Sequence, residues 1–199
     1  MNNYPPRHHQ SSDKQKMITV IKKYPLATLI SVIDGKPLIS HLPVIYNEIT
    51  GKLVGHIDKN NPQVKSLKEN KEVSLIFKGP DTYISPSIYT TEQLPTWNYI
   101  IVHITGKAIA ITQAEKAKQA LVDMCSFLEA PDYNYNLEMD NPKMERAINY
   151  IHAFEIEISN WEGKFKLSQD KCEEDQKNAK LHLIKENQNN IEDFLDEVY

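Results

Sequence analysis

The stretch ATLISVIDGKPLISHLPVIY, residues 27–46, sets two apolar runs on either side of Asp34-Gly35. Both central residues of a tight hairpin turn need positive φ, and Asp-Gly meets that need at little steric cost. The stretch therefore reads as an antiparallel hairpin, ATLISV (27–32) against PLISHLPVIY (37–46). Neighbouring segments extend it. NEITG (47–51) is a second turn, leading into the strand KLVGHI (52–57). Asn61-Pro62 has the cap-then-proline order of a helix start, so NPQVKSLKEN (61–70) reads as a short helix between strands. EVSLIFKG (72–79) and YISPSIY (83–89) read as two further strands, and TTEQLPTWNY (90–99) as a loop. IIVHITGKAIAIT (100–112) is a long strand with a bulge or bend at Gly106.

Helical periodicity occupies the gaps. Residues 11–23 place Met17, Val20, Ile21 and Tyr24 at helical spacing, with Ser11 or Ser12 as the cap and Pro25 as the stop. Thr112 and Glu115 form a capping box for a helix to about Glu129. A loop follows over 130–140, and Asn141-Pro142 opens a helix to about His152. AFEIEIS (153–159) is a strand. In WEGKFKLSQDK (161–171), Lys164, Lys166 and Ser168 alternate with Phe165 and Leu167, which predicts a strand with one buried and one lysine-bearing face. From Glu173 onward the chain is charged and helical, with Leu181, Leu183, Ile184, Ile191, Phe194 and Leu195 as its apolar stripe. The expected class is α+β: a small barrel of six or seven antiparallel strands with peripheral helices and a C-terminal helical tail. Residues 1–171 form the barrel domain and 172–199 its helical extension.

Composition narrows the function. The chain has 199 residues, 40% hydrophobic and 25% charged, the makeup of an ordinary globular domain. A formal net charge of −4 argues against the broad basic surface of non-specific DNA binding. Cys125 and Cys172 match no metal or redox spacing and read as reduced thiols. With no long apolar run and no signal-peptide core in MNNYPPRHHQ, the expectation is a cytoplasmic protein without a membrane partner. No nucleophile elbow, phosphate-binding glycine loop, zinc spacing or dinucleotide fingerprint occurs.

What remains is polar residues at strand ends. His41, His56 and His103 each read as hydrogen-bonded barrel histidines when taken alone, and His8 and His9 as solvated. LPTWNY sets the flat faces of Trp97 and Tyr99 beside the small polar groups of Thr96 and Asn98, suited either to pinning a loop or to walling a planar ligand. Lys166, followed by Ser168 and Gln169, is either solvated surface or a place for phosphate.

Six blocks in order, YPLATLIS, SHLPV, GHIDKNNPQ, FKGPDTYISPSIY, LPTWNY and GKFKLSQDK, resemble the PaiB-type family of transcriptional regulators within the FMN-binding split-barrel superfamily. The resemblance runs from about Tyr4 to about Lys171. It implies a six-stranded antiparallel split β-barrel, a homodimer, and FMN as cofactor in a groove between subunits. Carried over by motif, the flavin-groove candidates are His41, His56, Asn60, Asn61, Thr96, Trp97, Asn98, Lys166, Ser168 and Gln169. The chain departs from the family pattern at Asp58, Lys59, Val64 and Ile88, and an aspartate near phosphate costs Coulomb energy. A groove without flavin is therefore the alternative to an occupied one. The implied function is negative regulation of transcription, with DNA as the partner that reading adds. The competing readings are a flavin-dependent oxidoreductase acting on a small molecule, with His41 or His56 the first residues to test, and a cofactor-free regulator using the barrel as a dimer scaffold.

Overall fold

The computed structural model describes residues 5–188. Seven strands and five α-helices follow one another among them: β1 (Gln10–Ser11), α1 (Lys14–Lys23), β2 (Leu26–Ile33), β3 (Lys36–Asn47), β4 (Lys52–Asp58), α2 (Val64–Lys68), β5 (Glu72–Ile84), β6 (Thr96–Ala110), α3 (Ala114–Glu129), α4 (Pro142–Ala147), β7 (Ile151–Lys166) and α5 (Glu173–Glu186). Strands pair in the order β1-β7-β4-β3-β2-β5-β6, and β6 pairs again with β7. Six strands thus close into a ring, and the two-residue β1 adds to β7 through Gln10↔Lys164 and Ser11↔Gly163.

The Asp34-Gly35 hairpin forms as expected. Asp34 and Gly35 take φ of 51° and 74°, and β2 pairs antiparallel with β3 from Leu26↔Pro43 to Ile33↔Lys36. Elsewhere the ladder overrides local signals. The two strands expected at 72–79 and 83–89 are one 13-residue strand running through Gly79-Pro80, followed by a 3₁₀ turn at Pro86–Ile88. The expected loop at 90–99 is already strand from Thr96. The separate strands expected at 153–159 and 164–168 are the single 16-residue β7, which ends at Lys166. Ser168 leaves it with φ 62° and is buried, while Phe165 and Leu167 are only half-buried, so the predicted two-faced alternation stops short.

Helix boundaries shift too. Asp13, not Ser11 or Ser12, caps α1 by accepting from the Gln15 and Lys16 amides, because Ser11 is taken up by the β1 pairing. No side chain caps α3, so the Thr112–Glu115 box is not formed. Asn141 does cap α4, but that helix ends at Ala147, and His152 lies in β7. Gly106 sits within β6 where a Cβ would come 2.4 Å from the Glu157 carbonyl oxygen, a close strand approach.

Two compact units divide the chain, one from Met1–Ser12, Lys78–Ile101 and Gly163–Tyr199, the other from Asp13–Phe77 and Val102–Glu162. In the first, Ile84, Tyr89 and Ala179 form a buried cluster. Of the expected tail stripe, Leu183 is buried and Leu181 and Ile184 are exposed; Ile191, Phe194 and Leu195 lie outside the described residues. In the second unit, β2 buries Ala27, Leu29 and Ser31 and turns Leu26, Thr28, Ile30 and Val32 outward. Their partners on β3 are Pro43, His41, Ile39 and Pro37, which gives an open sheet face on which Leu26, Val32 and Ile39 are 63%, 55% and 59% exposed.

Candidate functional site

The sequence candidates fall into two groups, one in each unit. In the first unit, Thr96, Asn98, Lys166 and Ser168 line a cleft of about 310 Å³ together with His9, Asp170 and Lys171. β6 supplies Thr96 and Asn98 from one of its faces, since alternate residues share a side. Asn98 is 1% exposed and its amide donates to Ser168 Oγ at 3.0 Å; the Tyr89 hydroxyl lies 2.7 Å from the same oxygen. Ser168 and Asn98 are therefore a buried brace behind the cleft. Lys166 Nζ donates to Thr96 Oγ1 at the cleft wall. Lys171 pairs with Asp170 at 2.8 Å, whereas the Lys166 ammonium is bonded to a hydroxyl.

Gln169 lines no part of this cleft. Its amide donates to the carbonyls of His8 and Phe165, and its Oε1 accepts from the Leu167 amide at 2.7 Å, so it fixes the turn after β7. Trp97, on the opposite face of β6, donates from Nε1 to Asp81 at 2.9 Å and sits 6.2 Å from Tyr83, centroid to centroid. A further brace holds the loop before β6. Burial pushes the Asp175 carboxyl up, but hydrogen bonds from Thr91 and Thr90 outweigh it and hold its pKa down at about 2.

His9 is the residue that sequence reading misplaced. It is 9% exposed rather than solvated, because β1 draws the N-terminal segment onto β7. Its Nδ1 is buried without a hydrogen-bond partner, and it lines the cleft. Burial first, then the charges of His8 and Lys166, lower its pKa. Nothing in MNNYPPRHHQ announces this, since a two-residue strand leaves no periodicity to read.

In the second unit, His41, His56 and Asn61 line a cleft of about 570 Å³ with Ser40 and Asp58, beside the open apolar face of the β2–β3 hairpin. Asn61 Nδ2 donates to Ser40 Oγ at 2.9 Å, and its Oδ1 accepts from the Gln63 amide. Gln63, not singled out from the sequence, is the structural hub of the NNPQ segment: 1% exposed, it donates to the Leu38 carbonyl at 2.9 Å and to Ser31 at 3.1 Å. Burial lowers the pKa of half-buried His56, so its ring is neutral at pH 7. Asn60 does not line the cleft; its backbone amide donates to Asp58 Oδ1 at 2.7 Å. This cleft carries a carboxylate and no lysine.

A dianionic phosphate fits the first cleft better than the second. The first offers the Lys166 ammonium and the Thr96 hydroxyl, with the His9 ring in its wall. Among the described residues no cluster of His, Cys, Asp or Glu could hold a metal ion, and no helix is long and apolar enough to cross a membrane.

Over residues 3–160 the sequence matches the family described as "Putative FMN-binding domain", a span that stops short of Lys166, Ser168 and Gln169. A Bacillus subtilis (strain 168) protein named protease synthase and sporulation protein PAI 2 is 28% identical over 179 residues, covering 88% of this chain and 86% of the relative. An uncharacterised Saccharomyces cerevisiae protein is 26% identical over 171 residues, 72% of this chain and 99% of its own. Among solved structures, the flavocytochrome Anf3 from Azotobacter vinelandii superposes with a TM-score of 0.67 at 15% identity, over 87% of this chain and 77% of that one. The FAD and heme binding protein from Mycobacterium smegmatis gives 0.64 at 17% identity, over 84% and 78%. At such identities the structural likeness speaks for the fold alone, the split barrel.

Proposed function

Because this chain belongs to the FMN-binding domain family that it matches over residues 3–160, we propose that it is a homodimeric flavin-binding split-barrel protein with a negative regulatory role in transcription. The observation that carries the flavin part is the first cleft, where the Lys166 ammonium and the Thr96 hydroxyl are donors suited to the phosphate of FMN. Asn98 and Ser168 act behind them as the brace, and Gln169 holds the turn that carries Ser168. Trp97 offers a half-exposed ring for stacking. His41, His56 and Asn61, in the second cleft, and Asn60, outside it, are further proposed flavin contacts. FMN, when bound, supplies electron transfer; the protein's part is to bind and orient it.

The homodimer is supported by the uncovered face of Leu26, Val32 and Ile39, since large apolar side chains exposed together on one sheet face mark an interaction site. Self-association by a two-fold axis would cover both copies of it at once. The regulatory part rests on likeness to the Bacillus subtilis protein, whose name joins it to protease synthase and sporulation.

The visible spectrum of the purified protein, before and after addition of FMN and desalting, tests the flavin reading. Retained flavin bands are the expected result, and a colourless protein that also fails to quench added FMN fluorescence overturns it. Oxidation of NAD(P)H by the loaded protein at enzyme-like rates would move the function to the oxidoreductase class. A gel shift that disappears with non-specific competitor DNA would remove DNA as the specific partner.

A further inference from the structure

A third cavity, wholly within the second unit and separate in its lining from the cleft of His41 and His56, has a volume of about 440 Å³. Its polar wall is Lys59, Lys68, Thr112, Asn149 and His152. No carboxylate lines it, in a chain where Asp and Glu outnumber Lys and Arg by 27 to 23. Ala114 also lines it, and Ala114 is the first residue of the 16-residue helix α3. The cap residue Gln113 gives that helix no side-chain hydrogen bond, so the first-turn amides keep their donors and the positive end of the helix dipole. Glu115, in the same turn, is drawn to Lys118 and does not line the cavity.

The independent sign of a ligand is His152. It is 8% exposed, and its Nε2 is buried with no hydrogen-bond partner while the residue lines the cavity. Buried polar atoms left unpaired are rare and costly, and one here marks a place where a partner belongs. Burial first, then the charges of Lys68 and Lys59, lower the pKa of His152, and no carboxylate lines the cavity beside them. Lys59 is held in place by the Asn149 carbonyl, with Nζ 2.8 Å from the oxygen.

We infer that this cavity binds a small phosphate monoester, the phosphate seated among Lys59, Lys68, His152 and the start of α3, and an apolar body against Ile111, Ile148 and Ile151. Phosphate is favoured over carboxylate because ammonium groups and free helix amides serve a dianion, while no arginine fork lines the site to grip a planar carboxylate. The volume exceeds what a bare phosphate fills and lies within the range of small-molecule pockets.

Calorimetry of the full chain with phenyl phosphate, inorganic phosphate and benzoate tests this, alongside NMR titration of the His152 ring. Phenyl phosphate is expected to bind more tightly than either of the others and to raise the His152 pKa. Lys68→Glu, a change at an exposed position, should weaken binding about tenfold or more while leaving the flavin spectrum unchanged. His152→Phe should abolish the interaction; should that variant fail to fold, Lys68→Glu and the His152 titration still decide. No binding of phenyl phosphate, binding indifferent to Lys68→Glu, or benzoate bound equally well overturns the inference. Equal affinity for inorganic phosphate overturns the apolar part of it. Loss of flavin with Lys68→Glu would place the cavity in the flavin site and end its standing as a separate one.

Discussion

The two clefts that hold the sequence candidates are built in opposite ways. In the first, candidate side chains are buried and bonded to one another: Asn98 and Ser168 are 1% and 3% exposed and share one hydroxyl with Tyr89. In the second, His41 is exposed and Asn61 half-buried, and the buried polar anchor is Gln63 behind them. The first is a braced recess with a net excess of cation; the second is an acid-bearing notch at the margin of an apolar face. Residues of the same chemical type therefore do different work: an amide in the first cleft fixes a wall, and an amide in the second is closer to solvent and to any second molecule. The largest effects of substitution should be on stability in the first cleft and on association in the second.

Asn98→Ala tests this most severely. It strips the amide from Ser168 and leaves a buried hydroxyl cluster short of a partner, so chemical denaturation should show a loss of about 3 kcal/mol. A loss under about 1 kcal/mol would erase the contrast between the two clefts. Next comes Ile39→Asp on the open face, which should leave stability nearly unchanged but raise the dimer dissociation constant on the order of 100-fold, read by sedimentation. A variant that sediments as the parent does would mean that the face meets solvent and not a second copy.

Lys166→Ala should weaken FMN binding about tenfold through loss of one charged donor, with the fold intact. The same variant sharpens the comparison by NMR. His9 and His56 both titrate below the ordinary 6.5, His9 by burial and then by the charges of His8 and Lys166, His56 by burial. Removing the lysine charge eases protonation, so the His9 midpoint should rise while that of His56 stays. For both groups the unfolded chain takes up the proton first. Their contribution to stability is therefore full above 6.5, falls as pH drops through 6.5, and levels off below the folded midpoints. Coincident shifts of the two histidines in Lys166→Ala would show that the clefts are not electrostatically distinct.

The same contrast explains what could be read from the sequence. The Asp34-Gly35 hairpin was legible because turn chemistry and strand alternation agree there, and they are local. The unbroken β5 was not, because Gly79-Pro80-Asp81 carries turn signals that the ladder overrides. TWNY looked like a loop for the same reason, although Asn98 inside it is one of the most buried polar residues in the chain. The motif blocks named Ser168 and Asn98 but could not say that they bond to each other, since 70 residues separate them. The burial of His9, Gln63 and His152 was not legible because it comes from strand pairing and packing, which no short window of sequence records.

The smallest expected effect is the most discriminating for the second cleft. Asn61 donates to Ser40 and accepts from the Gln63 amide from a half-buried position beside solvent, so Asn61→Ala should cost about 1 kcal/mol of stability, water replacing the lost partners. If Asn61 contacts flavin, the same variant lowers FMN affinity by a larger factor than it lowers stability, because a ligand group is left unpaired away from water. Equal, small changes in both would return Asn61 to the role its geometry already shows, a strut between β3 and the segment that carries Gln63. Flavin recognition would then rest on the lysine-bearing cleft alone.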